Sequence, residues 1–324
     1  TLMVLPFSGW LSEMIGLSQN WLLVGIPFSF CSFMIQLRLG QWQVRKEPKK
    51  FGAFQISQSL SNMGLSLLLV VVLLLGVDGR LMGYAGSVMM FGMLALILLY
   101  KDGLLRWSWR PVLMKEAASF GVPLIPHIIG AFLLLTVDRA VISSVLGLEA
   151  AGYYLVAAQL AMVLGLVLDS VNKAYVPWLY ERLKRNNQDE KRFIVKLTYG
   201  YGAFLAACAL IAFGIGEPAL RLLAGEKYKA AGKLVGWLVL GQAFRGMYYM
   251  VSSYIFYEKR TGVIAKITIT TGILHVVILY EFLNRFGLIG AAWAFCASLL
   301  VQWLVTWFWA DRLVSMPWAL RNGI

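Results

Sequence analysis

The chain has 324 residues, 60% of them hydrophobic and 14% charged, with a mean hydropathy of +0.72. Soluble domains carry about 45–50% apolar and about 25% charged residues, and one spanning helix needs about 20 apolar positions, so the composition excludes a soluble globular chain and predicts roughly nine or ten spans. The net charge of +13 then bears on orientation in a bilayer, because loop Lys and Arg decide which side faces the cytoplasm, and no nucleic-acid partner is expected.

In chain order the apolar runs fall at 1–12, 20–39, 54–76, 81–100, 118–138, 150–173, 194–214, 234–256, 262–282 and 288–310. The pattern is all-α, with antiparallel spans joined by short loops. The first run opens on Thr1 and continues through Leu2–Leu5, Pro6 and Phe7, without a basic n-region or a small-residue cleavage site. It reads as the tail of a span, in a fragment lacking its natural N-terminus, and not as a signal peptide.

Loops alternate between the two sides. One set, around Arg38–Lys50, Lys101–Lys115, Lys173–Lys196, Lys259–Lys266 and Arg312–Arg321, carries 21 of the 29 Lys and Arg residues. The other, with Arg80, Arg139, Arg221–Lys233 and Arg285, carries 7, and Arg245 lies inside a span. This asymmetry places the first set and the C-terminus in the cytoplasm. Trp107, Trp109, Trp178, Trp307, Trp309 and Trp318 fall near the same ends, where an aromatic belt is expected.

An internal echo runs through the chain. Lys49-Lys50-Phe51-Gly52 opens one span and leads to Gly79-Arg80-Leu81-Met82-Gly83; Lys259-Arg260-Thr261-Gly262 opens another and leads to Phe286-Gly287-Leu288-Ile289-Gly290. Both copies cross the membrane in the same direction, as in a parallel repeat, an architecture that places a transporter's substrate site between its halves.

Enzyme signals are nearly absent. There is no P-loop, His127 and His275 stand apart from any metal-ligand spacing, and no two carboxylates share a long outer loop. Cys31, Cys208 and Cys296 lie in apolar runs without metal spacing and read as packing residues. No metal, cofactor or catalytic residue is expected.

Charged and titratable residues at membrane depth are costly and mark function or structural pairing. Arg245 is mid-span in Gly241-Gln242-Ala243-Phe244-Arg245-Gly246. Either it faces a wet cavity, where a guanidinium suits a phosphate, or it pairs between helices or snorkels to an interface. Asp138-Arg139 sits at the outer end of span 118–138, as a local pair and anchor or as part of a site. Asp169 and Lys173, four apart, favour a helix-end ion pair. His127 follows Pro123 and Pro126, which bend its helix; its imidazole either packs with a hydrogen bond or carries a proton. His275 lies toward the outer part of span 262–282 and is open to both readings.

Several strings resemble one family in order along the chain. They are Phe120-Gly121-Val122-Pro123-Leu124-Ile125-Pro126-His127, Asp138-Arg139, Leu146-Gly147-Leu148-Glu149-Ala150-Ala151-Gly152-Tyr153-Tyr154, Pro177-Trp178-Leu179-Tyr180-Glu181, Leu223-Ala224-Gly225-Glu226-Lys227-Tyr228 and Gly287-Leu288-Ile289-Gly290-Ala291-Ala292. Together they resemble the Wzx-type polysaccharide flippases of the multidrug/oligosaccharidyl-lipid/polysaccharide exporter superfamily. The resemblance implies a polytopic helical bundle of two six-helix lobes, the first truncated here: a partial N-terminal lobe at 1–116 and a C-terminal lobe at 117–324. It implies a transporter, not an enzyme, that moves a polyprenyl-diphosphate-linked oligosaccharide across a bacterial inner membrane by alternating access. Membrane lipids and the polysaccharide polymerase machinery are the further partners it implies. Arg245, Lys173, Arg139 and His127 become substrate-binding candidates, and Asp138, Asp169 and His275 ion-coupling candidates. Arg245 departs from the family pattern, which more often has a neutral polar residue there. The alternatives are a cation-coupled multidrug exporter of the same fold, which would want acidic cavity residues, and a membrane glycosyltransferase or polymerase, which would want catalytic groups on a long outer loop.

Overall fold

Proline marks where two of the helices begin, at Pro48 and Pro111, because its fixed φ and missing N–H are harmless in a first turn. The structure, a computed structural model, describes residues 19–105 and 108–319; the predicted span 1–12, Arg106, Trp107 and Arg321 lie outside the described residues. The described residues contain no strand and form two compact units, one within 1–109 and one within 110–324. The protein is an all-α polytopic membrane protein. Among the described residues eight segments are long and apolar enough to cross a bilayer.

The first unit holds α1 (Gln19–Val44), α2 (Pro48–Leu67) and α3 (Gly76–Lys101), with one π-helical turn, Leu68–Val72, extending α2. Its core joins Cys31 and Ile35 of α1 to Phe54 of α2 and Phe91 and Ala95 of α3. Gly92 lets α1 and α3 touch, since a Cβ there would lie 2.3 Å from that of Cys31. Buried Arg38 bonds to Asp102 and lies 4.3 Å over the Trp42 ring. The hydrogen bond from Arg38 holds the Asp102 carboxyl below its ordinary range.

The second unit begins with a pass broken twice, into α4 (Pro111–Gly121), α5 (Leu124–Leu135) and α6 (Asp138–Leu146). The first break falls at Val122-Pro123, where the proline lacks the donor that a continuous helix needs. Then come α7 (Leu148–Arg185), α8 (Gln188–Ala224), a 3-10 turn at Glu226–Ala231, α9 (Gly232–Tyr257), α10 (Thr261–Phe286) and α11 (Leu288–Leu313).

One sequence expectation needs correction here. Spans 150–173 and 194–214 leave residues 174–193 as a loop, yet α7 and α8 run to 38 and 37 residues and meet in a turn of only Asn186 and Asn187. At 1.5 Å per residue α7 is about 57 Å long, well beyond the ~30 Å hydrocarbon layer. The charged extension stays helical because Asn187 caps α8, accepting from the Asp189 N–H at 2.8 Å, and Arg185 pairs with Glu190 at 3.0 Å. The tryptophans expected as a belt also pack on one another: Trp307 lies 5.3 Å from Trp318 and stacks on Trp303 at 5.8 Å.

Helix α9 is the packing centre of the second unit, enclosed by α7, α8 and α11. It is absent from the eight apolar segments, having Gln242, Arg245 and a run of tyrosines. A helix surrounded by other helices needs no lipid-facing apolar stripe, so it can carry polar groups inward.

The internal echo has a counterpart in backbone geometry. Lys46 after α1 and Lys259 after α9 both take φ of 56°. Each closes its helix with the same pair of bonds, Glu47 N–H to Trp42 C=O with Lys46 N–H to Gln43 C=O, and Arg260 N–H to Ile255 C=O with Lys259 N–H to Phe256 C=O. In each triplet, α1–α2–α3 and α9–α10–α11, the first and third helices pack extensively while the first and second barely touch.

Candidate functional site

The polar residues Gln242, Arg245, Tyr249 and Ser252 of α9 recur every three or four positions and so share one face, which Phe256 continues. That face lines two cavities in series. The other walls come from the broken pass and from α7. The smaller cavity, about 300 Å³, is lined by Asp138, Arg139, Tyr154, Gln242 and Arg245 among others. The larger, about 560 Å³, is lined by His127, Asn172, Tyr180, Tyr248, Tyr249 and neighbouring residues.

Arg245 is half-buried. Its Nη1 donates to Gln242 Oε1 at 3.4 Å, and the guanidinium lies 5.3 Å from the Tyr249 ring centroid. Gly165 of α7 leaves room for Gln242: a Cβ there would lie 2.9 Å from Gln242 Oε1, and in ordinary contact with Arg245 Nη1 at 3.6 Å. Among the described residues no carboxylate lies within ion-pair range of Arg245. Arg139 lines the same cavity and is exposed.

The break between α5 and α6 turns Asp138 inward. The sequence pattern places it at the outer end of a span; instead α6 continues to Leu146 and Asp138 is buried. Its Oδ1 meets His275 Nε2 at 2.7 Å and its Oδ2 accepts from the Tyr154 hydroxyl at 2.7 Å. His275 Nδ1 lies 3.0 Å from Ser298 Oγ. His275 and Ser298 are wholly buried. With Nε2 donating to Asp138, neutral His275 accepts from Ser298 at Nδ1; protonated, it donates there and the hydroxyl turns to accept.

The remaining candidates are placed differently. His127 is half-buried, with Nδ1 2.9 Å from Thr268 Oγ1 and its ring edge-on to Phe256 at 6.2 Å. Asp169 and Lys173 pair with each other at 2.8 Å and line neither cavity. Lys259, on the rim of the larger cavity, bonds to Glu116 at 2.8 Å, and this bond holds its ammonium above the usual range.

Sequence reasoning missed Tyr154 and Ser298, whose hydroxyls are polar only by one atom and carry no spacing signal. It also missed the Tyr248, Tyr249 and Tyr257 wall, although the polar stripe along α9 was there to be counted.

Residues 5–182 match the family model described as polysaccharide biosynthesis protein. "Lsg locus putative protein 1" of Haemophilus influenzae is 27% identical over 162 residues, covering 49% of this chain and 39% of that protein. "Putative O-antigen transporter" of Shigella flexneri is 24% identical over 182 residues, covering 52% of this chain and 41% of that protein. The matches thus span well under two thirds of these relatives. Among solved structures, a mutant of the Vibrio cholerae MATE transporter VcmN superposes with a TM-score of 0.74 at 12% identity, covering 96% of this chain and 74% of that one. An outward-facing multidrug resistance MATE family transporter of the MOP superfamily gives 0.67 at 14% identity, covering 99% and 75%. Those two likenesses show the fold.

Proposed function

Because the chain belongs to the polysaccharide biosynthesis protein family, we propose that it carries a polyprenyl-diphosphate-linked oligosaccharide across the bacterial inner membrane for surface polysaccharide assembly. The headgroup crosses by alternating access while the lipid tail stays in the bilayer, and no covalent bond is made or broken. The basic ends of the helices and the C-terminus face the cytoplasm, where such a precursor is made and a polymerase partner would not yet act on it.

The observation that carries this reading is Arg245. It is a half-buried guanidinium at a cavity, deep in the most enclosed helix, without a carboxylate partner among the described residues. Such a fork suits two phosphate oxygens at once, and a site shielded from water strengthens the attraction. Arg139 adds a second cation on the same wall. We assign coupling to the Asp138–His275 pair as a proton carrier, and Asp169 and Lys173 to the ion pair they make with each other. His127 belongs with the larger cavity.

A drug exporter of the same fold would want a free carboxylate for a cationic drug. Among the described residues Asp138 is the only carboxylate lining either cavity, and both its oxygens are bonded.

The test is complementation. The complete reading frame is expressed in a strain that lacks its own flippase but makes the matching repeat unit, and surface polysaccharide is scored. Rescue is expected, with at least a tenfold loss in an equally expressed Arg245→Ala variant, about 1.4 kcal/mol of cargo binding. Absence of rescue in the matched host, with the protein in the membrane, would overturn the proposal.

A further inference from the structure

We propose that the larger cavity is a glycan subsite, binding sugar rings of the cargo while Arg245 holds its diphosphate; this rests on the flippase reading and assigns the parts of the cargo to parts of the site. Its walls have the two chemistries a sugar presents. Tyr180, Tyr249, Phe256 and Tyr257 offer flat aromatic faces, which suit the C–H face of a pyranose. His127, Asn172 and Ser252 offer hydrogen-bonding groups between them, which suit the ring of hydroxyls.

Charge separates this cavity from the smaller one. Among the described residues no carboxylate lines it, and Lys259, its one permanent cation, is already bonded to Glu116. It therefore has little to attract a diphosphate or to hold a cationic drug. A lipid tail fits no better, because it would leave the Asn172 carboxamide facing hydrocarbon. The carboxamide oxygen of Asn172 is buried and has no hydrogen-bond partner among the described residues. At about 560 Å³ the space falls within the range of small-ligand pockets, roughly 300–1,000 Å³.

Position joins the two stations. Tyr249 lines the larger cavity and also lies under the Arg245 guanidinium. From Arg245 to Ser252 the helix rises about 10 Å, the scale of a sugar ring joined to a diphosphate. Cargo lying along α9 would thus place its phosphates against Arg245 and its first rings against the tyrosines.

The experiment uses purified protein and soluble probes: farnesyl diphosphate, bare or carrying N-acetylglucosamine, glucose or galactose on its terminal phosphate. At least one sugar-bearing probe is expected to bind about tenfold more tightly than the bare probe. Tyr257→Ala and Tyr180→Ala should bring that probe down to the affinity of the bare one, while Tyr257→Phe, which keeps the ring face, should retain the gain. Equal binding of all four probes to the unaltered protein would overturn the subsite and leave the diphosphate site standing. So would an equal loss for bare and sugar-bearing probes in both alanine variants. If no probe binds and Arg245→Ala changes nothing, the flippase reading falls and takes the subsite with it.

Discussion

Asp138 and His275 lie 137 positions apart and meet at 2.7 Å. Each buried partner is justified by the other, since an unpaired carboxylate or a wholly buried imidazole with open nitrogens costs far more than one that is bonded. His275→Ala removes a partner from Asp138 and from Ser298 together, so a loss of about 3 kcal/mol is expected. Ser298→Ala removes one neutral bond and should cost about 1 kcal/mol. Unfolding of the purified variants in one detergent measures both, and equal, small losses would mean that the network is not built around His275. The two titratable members were legible in the sequence, as ionisable groups in apolar runs. Their pairing was not, because it depends on how α6 leaves the break after Leu135 and on the packing of α6 against α10. Tyr154 and Ser298 had no signal at all: a buried hydroxyl is recognised by the partner it meets.

At the scale of helices, periodicity locates the spans well where they are uniformly apolar, and fails where something other than apolarity ends a helix. Helices α7 and α8 outrun their hydrophobic windows because capping and ion pairs sustain a solvated helix as well as lipid does a buried one. The pass through α4, α5 and α6 breaks first at Val122-Pro123, where the prolines already mark a bend, and again after Leu135, where the apolar run gives no such mark. What holds α5 in place is a backbone approach that no propensity encodes. A Cβ on Gly130 would lie 2.4 Å from the Thr268 carbonyl oxygen, and one on Gly272 would lie 2.7 Å from that of Gly130. Thr268 is also the residue that bonds His127. Gly130→Ala must therefore push α5 from α10, costing about 2 kcal/mol and loosening His127 at the cavity wall. Gly262→Ala, on the same α10 with nothing within 4 Å, should be neutral or slightly stabilising, since Ala is the better helix former. Comparing the two variants' unfolding midpoints separates close packing from helix propensity; similar values would mean that α5 and α10 have slack between them.

For the whole chain, orientation follows from charge and not from packing. The basic turns after α1 and α9 have the same backbone geometry, and the longest basic stretch, across Asn186 and Asn187, caps the far ends of α7 and α8. A bilayer under a membrane potential, negative inside, retains Lys and Arg on the cytoplasmic side, and short loops obey this rule best. The turn at Gly225–Lys227 lies at the opposite end of α8 from Asn187 and must face the other way. Two single cysteines test the assignment after Cys31, Cys208 and Cys296 are replaced by alanine; Cys31 and Cys296 are buried and Cys208 half-buried. Asn187→Cys and Glu226→Cys both fall on exposed residues. In intact spheroplasts a membrane-impermeant maleimide should label Glu226→Cys and spare Asn187→Cys until the cells are lysed. The reverse pattern would put the basic ends outside. Arg245 and the larger cavity, with Lys259 on its rim, would then lie along a path whose basic mouth faces away from the compartment where the lipid-linked precursor is made, and the proposed direction of transport would fail with the orientation.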